Sequence, residues 1–169
     1  MVMRIPRNST LPTPSNPNLT LPMTVDPVAL RVFVYETIVS AGLPPSLGQI
    51  GKHFAMTAND AGQALASLKI GKTILVHPRT GEIWMAGPFA SAPTSYRVTG
   101  SRCTWFANCA WDMLGIPVIV DEPVVIHATC TDCGDLIEMA VYPRRGVARA
   151  EVVHFLVPAR RWYDDIGFT

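Results

Sequence analysis

A chain of 169 residues, 49% hydrophobic and 16% charged, is long and apolar enough to bury one core or two small ones. A formal net charge of +1 lacks the basic balance of a general nucleic-acid or anionic-membrane binder. No apolar run reaches the roughly 18–20 residues of a membrane span, and the start lacks the basic-then-apolar pattern of a secretion signal. A cytoplasmic protein with no membrane and no nucleic-acid partner is therefore expected. In such a chain the four cysteines are reduced, ligating or catalytic rather than a disulfide framework, although Cys130 and Cys133 are close enough to pair transiently.

Residues 1–24 are rich in Pro, Ser, Asn and Thr and predict a flexible arm. Asp26 is a natural N-cap with Pro27 at the first helical position, and Val28, Leu30, Val32, Phe33, Val34 and Ile38 predict a mostly buried helix ending near Gly42. Pro44-Pro45-Ser46 opens a second helix through about Phe54. Thr57-Ala58-Asn59-Asp60 resembles a capping box, with Asp in place of the usual Glu or Gln, for a third through Leu68. Residues 73–77 and 82–86 read as strands around the turn Pro78-Arg79-Thr80-Gly81. Three helices plus a hairpin give a winged-helix-like module over 25–87. Its third helix holds no basic residue before Lys69 and Lys72, so a structural or lid-forming role is expected in place of DNA reading.

The stretch 87–95 reads as a loop dividing this module from a second one over 95–169. Phe106, Ala110, Met113 and Leu114 recur at helical spacing, and Gly115 and Pro117 supply a stop, so a helix is expected over 103–114. Cys109 and Asp112 then share a face, and residues three apart on a helix have Cβ atoms roughly 5–6 Å apart. Strands follow at 117–120, 124–129, 136–142 and 149–157, with Arg144-Arg145-Gly146 in a turn and a last helical turn over 159–166 that carries Trp162 inward. The fold class expected is α+β: the three-helix module with its hairpin, then a small, mainly antiparallel sheet packed on the cysteine-bearing helix.

Cys109-Ala110-Trp111-Asp112, an apolar stretch with a proline, and His127-Ala128-Thr129-Cys130-Thr131-Asp132-Cys133-Gly134 in a β-rich tail together resemble the organomercurial (alkylmercury) lyases. The resemblance covers about residues 95–169 and is that of a C-terminally shortened member. It implies an enzyme that cleaves carbon–mercury bonds by protonolysis, giving a hydrocarbon and Hg(II), as in mercury detoxification and resistance. It casts Cys109 as the mercury-binding nucleophile and Asp112 as proton donor or as shuttle for the thiol proton. Cys130 falls on a structural cysteine of the family, and Cys133 departs from its pattern as a possible surrogate thiol. The family's second active-site cysteine follows a Leu-Val-Pro-like stretch, here Leu156-Val157-Pro158, and would come after Phe168-Thr169, where this sequence stops. A truncated sequence, a homologue working with Cys130 or Cys133, and one that has lost the activity all fit that departure.

The chemistry asks for a thiolate because Hg(II) is a soft cation. It also asks for an acid whose proton survives at neutral pH, hence a carboxyl raised by burial near Trp105, Trp111 or the sulfur. The expected partners are a small organomercury substrate and, as product acceptor, cellular thiols or a mercury reductase. No cofactor is required; Hg(II) is the bound product and external thiols release it.

A plainer reading stands beside each residue. Cys109 can be an inert core thiol, Asp112 a surface carboxylate or a partner of Arg102, and Trp105 and Trp111 core residues on opposite sides of the helix. His127 and His154 read as satisfied strand histidines. Cys130-Thr131-Asp132-Cys133 has the shape of a zinc knuckle, but a closed zinc site needs four ligands and only Cys103, Cys109, His127 and His154 remain to complete it. A non-catalytic thiolate protein binding Hg or Zn through Cys109, Cys130 and Cys133 is the alternative from another class. A ligand-sensing winged-helix regulator is a third.

Overall fold

A computed structural model describes residues 25–68, 73–145 and 152–166. The arm expected over 1–24, Lys69 and Lys72, Gly146, the first part of the last expected strand and Phe168-Thr169 lie outside the described residues.

Three helices come first: α1 (Pro27–Ala41), α2 (Leu47–His53) and α3 (Ala58–Ser67). Each is started by a side chain that satisfies a free N–H of its first turn. Asp26 accepts from the Val28 N–H at 3.1 Å. Ser46 and Gln49 form a reciprocal capping box. Thr57 accepts from the Asp60 N–H at 3.1 Å and donates its hydroxyl to the Asp60 carboxylate at 2.7 Å, so the shorter Asp returns to the cap's side chain instead of its backbone. α1 is less buried than its composition predicts. Leu30, Val34 and Ile38, spaced by four, face the core, while Val28 and Val32 stay exposed.

Gly42 ends α1 in the left-handed region at φ 81°, its N–H donating to the Ile38 carbonyl at 2.8 Å. A Cβ there would meet the Thr104 carbonyl oxygen at 2.7 Å. Gly42→Ala is expected to cost about 1–3 kcal/mol, read as a lowered midpoint in chemical denaturation.

Strands β1 (Ile74–Val76) and β2 (Ile83–Ala86) form the expected hairpin, closed by the His77 N–H donating to the Glu82 carbonyl at 2.8 Å. Glu82 also accepts from the Leu47 N–H at 3.1 Å, placing a carboxylate on the start of α2. A third strand, β3 (Phe89–Ala90), lies within the stretch expected to be loop and pairs antiparallel with β2. Phe89 is fully buried, so its two residues gain more by closing the sheet than the neighbouring prolines and serines lose.

The second sheet is entirely antiparallel, in the order β5-β4-β6-β7, with β4 (Arg97–Thr99), β5 (Thr104–Phe106), β6 (Val124–Thr129) and β7 (Leu136–Val141). β6 alternates cleanly, with Val124, Ile126 and Ala128 buried. The expected α+β arrangement of helices and antiparallel sheet is present.

Two expectations around the cysteine-bearing segment are corrected. Residues 104–106 are strand, because Trp105 pairs with Val98 and buries its indole completely, its Nε1–H donating to the Ile38 carbonyl at 2.9 Å. The helix, α4 (Asp112–Val120), begins later and runs through Gly115 and Pro117, where a stop and a strand were expected. Proline removes one i→i−4 bond. Burial outweighs that loss, for Met113, Ile116, Pro117 and Val120 form one inward stripe at helical spacing. Trp111 is accordingly 61% exposed and not a core residue.

The described part of the last expected strand, 152–157, pairs with nothing in either sheet. Its end folds onto a 3-10 helix, Ala159–Asp164, instead: Trp162 Nε1–H donates to the Val157 carbonyl at 2.8 Å and its ring lies 5.0 Å from that of Phe155. One continuous core joins the halves, from Leu30 and Ile38 through Leu65 and Phe89 to Trp105, Ile116, Ile126 and Met139. Among the described residues no helix is long and apolar enough to cross a membrane.

Candidate active site

Beyond β5 the chain is pinned on both sides before α4 starts. Ala107 bridges to Phe89, its N–H donates to the Tyr96 carbonyl at 2.9 Å, and its carbonyl accepts from the Thr94 hydroxyl at 2.7 Å. The Asn108 N–H reaches the Pro88 carbonyl at 3.3 Å. Residues 109–111 then turn into the helix, and the Met113 N–H donates to the Cys109 carbonyl at 3.2 Å. That bond has helical spacing, so Cys109 and Asp112 do share a face, although Cys109 precedes α4 instead of lying within a helix.

The thiol and the carboxyl are hydrogen-bonded to each other. Free backbone N–H groups of Asp112 and Trp111, at the start of α4, also point at the Cys109 sulfur. Burial pushes the Cys109 thiol above the usual range; those N–H groups pull it back, and the Asp112 charge adds to the rise. Burial likewise raises the Asp112 carboxyl, opposed by hydrogen bonds from Asn108 and Cys109. Both groups thus hold a proton more tightly than they would in water.

Asn108 was not singled out by the sequence reading. Its Nδ2 donates to Asp112 Oδ2 at 3.1 Å, while its Oδ1 is buried with no hydrogen-bond partner among the described residues. An orphaned buried acceptor costs roughly 1–3 kcal/mol, which marks this corner as one built for something other than stability. Its spacing, four residues before Asp112, was the available signal. Tyr35 of α1, donating its hydroxyl to the Gly87 carbonyl at 2.8 Å, also lies within electrostatic reach: burial raises its phenol, Arg31 lowers it, and Asp112 raises it further. No local pattern predicts that approach.

Arg102 pairs with Glu122 at 3.7 Å and not with Asp112. Cys103 is a packed thiol, donating to the Val39 carbonyl at 3.7 Å. His127 Nδ1 lies 3.2 Å from the Glu138 carboxylate on the sheet. Cys130 and Cys133 face each other in the turn between β6 and β7. The expected metal residues therefore stand as Cys109 beside Asp112 and Cys130 beside Cys133. Among the described residues no three His, Cys, Asp or Glu side chains group as a metal site, because Cys109 is committed to the start of α4 and the other pair to the far end of the hairpin. A cavity of about 640 Å³ is walled by Ala110, by Met113 and Leu114 of α4 and by Cys130, Ile137 and Met139 of the hairpin; of the two pairs only Cys130 lines it.

Residues 89–168 match the family model for MerB, alkylmercury lyase. Among solved structures, the mercury-bound form of MerB2 aligns with a TM-score of 0.53 at 19% identity, over 68% of this chain and 55% of that one. The chain thus spans about half the length of that relative. No curated protein sequence matches.

Proposed function

Since residues 89–168 match the alkylmercury lyase family model, we propose that the chain cleaves carbon–mercury bonds by protonolysis, with Cys109 taking the metal and Asp112 moving the proton. The observation that carries this reading is the hydrogen-bonded thiol and carboxyl at the start of α4, both raised by burial.

The steps follow from where the proton sits. A mercury cation carrying an organic group, R–Hg⁺, replaces the proton of the Cys109 thiol, because sulfur is the preferred donor of a soft metal. The displaced proton passes to the hydrogen-bonded Asp112 carboxylate. A sulfur–mercury bond makes the attached carbon more electron-rich, and the Asp112 carboxyl then protonates that carbon. The carbon–mercury bond breaks, R–H leaves, and Hg(II) remains on Cys109 with the carboxylate restored. No oxidation state changes. Asn108 holds the carboxyl oriented toward the sulfur through Oδ2.

In the same reading residues 25–87 act as a winged-helix-like scaffold and not as a reader of DNA. α1 supplies both the carbonyl that fixes Trp105 and the Tyr35 phenol near Asp112. Residues 95–169 form the catalytic module. The reaction suits the reducing cytoplasm, where low-molecular-weight thiols or a mercury reductase would accept the product.

The test is direct. Purified protein incubated with a phenylmercury salt and excess thiol is expected to release benzene, measured by headspace gas chromatography. Release no faster than from thiol and buffer alone rejects the proposal.

A further inference from the structure

We propose that Cys130 and Cys133 form a second mercury site, a two-sulfur acceptor for inorganic Hg(II) at the wall of the cavity that α4 borders. Its role as receiver of the product rests on the cleavage reading; its capacity to bind Hg(II) does not.

The turn is built to bring the sulfurs together. The Cys130 N–H donates to the Asp135 carbonyl at 2.8 Å and the Gly134 N–H to the Cys130 carbonyl at 2.9 Å, with Gly134 at φ 77° turning the chain back toward β7. Cys133 is exposed and Cys130 half-exposed. The Cys130 sulfur accepts from the backbone N–H groups of Cys133 and Asp132 and from the Cys133 thiol, which hold it below the usual thiol range. The Asp135 N–H pulls Cys133 down, but hydrogen bonds from its thiol to Asp135 and Cys130 prevail and keep its proton on. The two sulfurs thus stand against each other in a turn that solvent reaches, placed for one soft cation to bond to both.

The donor set selects the ion. A structural zinc site wants four ligands, and among the described residues no third His, Cys, Asp or Glu joins this pair as a metal group. Hg(II) is satisfied by two sulfurs in a line and is softer than zinc. Cys130 lines the same cavity as Ala110, the residue following Cys109, and Met113 and Met139 add polarizable thioethers to the wall between.

Transfer balances without a redox partner. The Cys130 sulfur gives its proton to solvent and bonds to Hg(II) held on Cys109, and the Cys109–mercury bond breaks. Cys109 leaves as thiolate and regains a proton, while the Cys133 thiol loses its own to solvent as its sulfur forms the second bond. Mercury remains Hg(II) and no disulfide forms.

The experiment uses mercuric chloride, so its outcome does not depend on carbon–mercury cleavage. The full chain carrying Cys109→Ser is titrated against a competing monothiol, with retained metal read by native mass spectrometry and sulfur-to-mercury charge-transfer absorbance. One Hg(II) per chain is expected to survive the competitor. Adding either Cys133→Ser or Cys130→Ser should weaken retention on the order of a hundredfold, the gain of an intramolecular second ligand. The exposed turn position of Cys133 lets that variant fold, which circular dichroism verifies. Equal retention with and without Cys133, loss of all tight binding with Cys109→Ser alone, or preferential retention of zinc each overturns the proposal. Absence of benzene release in the cleavage assay leaves it standing.

Discussion

Cys109→Ser is expected to reduce hydrocarbon release to background, a loss on the order of 10⁴-fold or more for removal of the group that forms the covalent bond. The reason is donor softness, not shape. Serine fills the same half-buried position and its oxygen can accept the Asp112 and Trp111 N–H groups that now point at sulfur. The start of α4 should therefore persist, with thermal unfolding close to that of the parent. What disappears is affinity for a soft cation, since a hydroxyl at neutral pH is both harder and far less acidic than a thiol. Benzene release and bound mercury are measured together on the same preparation. Release undiminished in Cys109→Ser removes Cys109 from the reaction.

Asp112→Asn separates binding from proton transfer. Its amide oxygen can still accept from Asn108 Nδ2, which now donates to the carboxylate at 3.1 Å. It cannot take the thiol proton or return it to carbon. A loss of about 10²–10⁴-fold in the rate of release is expected, with organomercury still captured on Cys109. The pH dependence follows from the two raised groups. On the acid side, activity falls as Asp112 becomes protonated and cannot accept from the thiol, at a pH above the ordinary carboxylate range. On the alkaline side it falls as the Cys109 thiol loses the shared proton, above the ordinary thiol range. Asp112→Asn should erase the acid limb.

Stability moves in the opposite sense. A carboxyl whose folded-state pKa is raised holds its proton more tightly in the folded than in the unfolded chain. Its charged form disfavours folding at neutral pH, and stability is recovered as pH falls through the raised value. The Asn variant is thus expected to be no less stable than the parent at pH 7. A rate unchanged by this substitution assigns the proton to another donor.

The helix starts were legible because each depends on a few adjacent residues: Asp26 before Pro27, Ser46 with Gln49, and Thr57 with Asp60. The same holds for the hairpin around Gly81 and for the alternation of β6. The segment that carries the candidate site was read less well. Residues 104–106 match a helical pattern locally, yet Trp105 is strand because a carbonyl of α1, 67 residues earlier, receives its indole N–H. Gly115 and Pro117 look like a stop, yet α4 continues because its buried stripe contacts the shared core.

The sequence by itself determined that Cys109 and Asp112 are neighbours, since a spacing of three needs only one turn of chain to bring thiol and carboxyl together. It equally determined that Cys130 and Cys133 face each other across a glycine-ended turn. Tertiary structure alone decided that the first pair is drawn out of water beside Asn108 and within reach of Tyr35, and that the second opens on the same cavity as Ala110. Proximity along the chain is a local property, whereas desolvation depends on every element packed around a group, and desolvation is what raises the two protons the proposed chemistry moves.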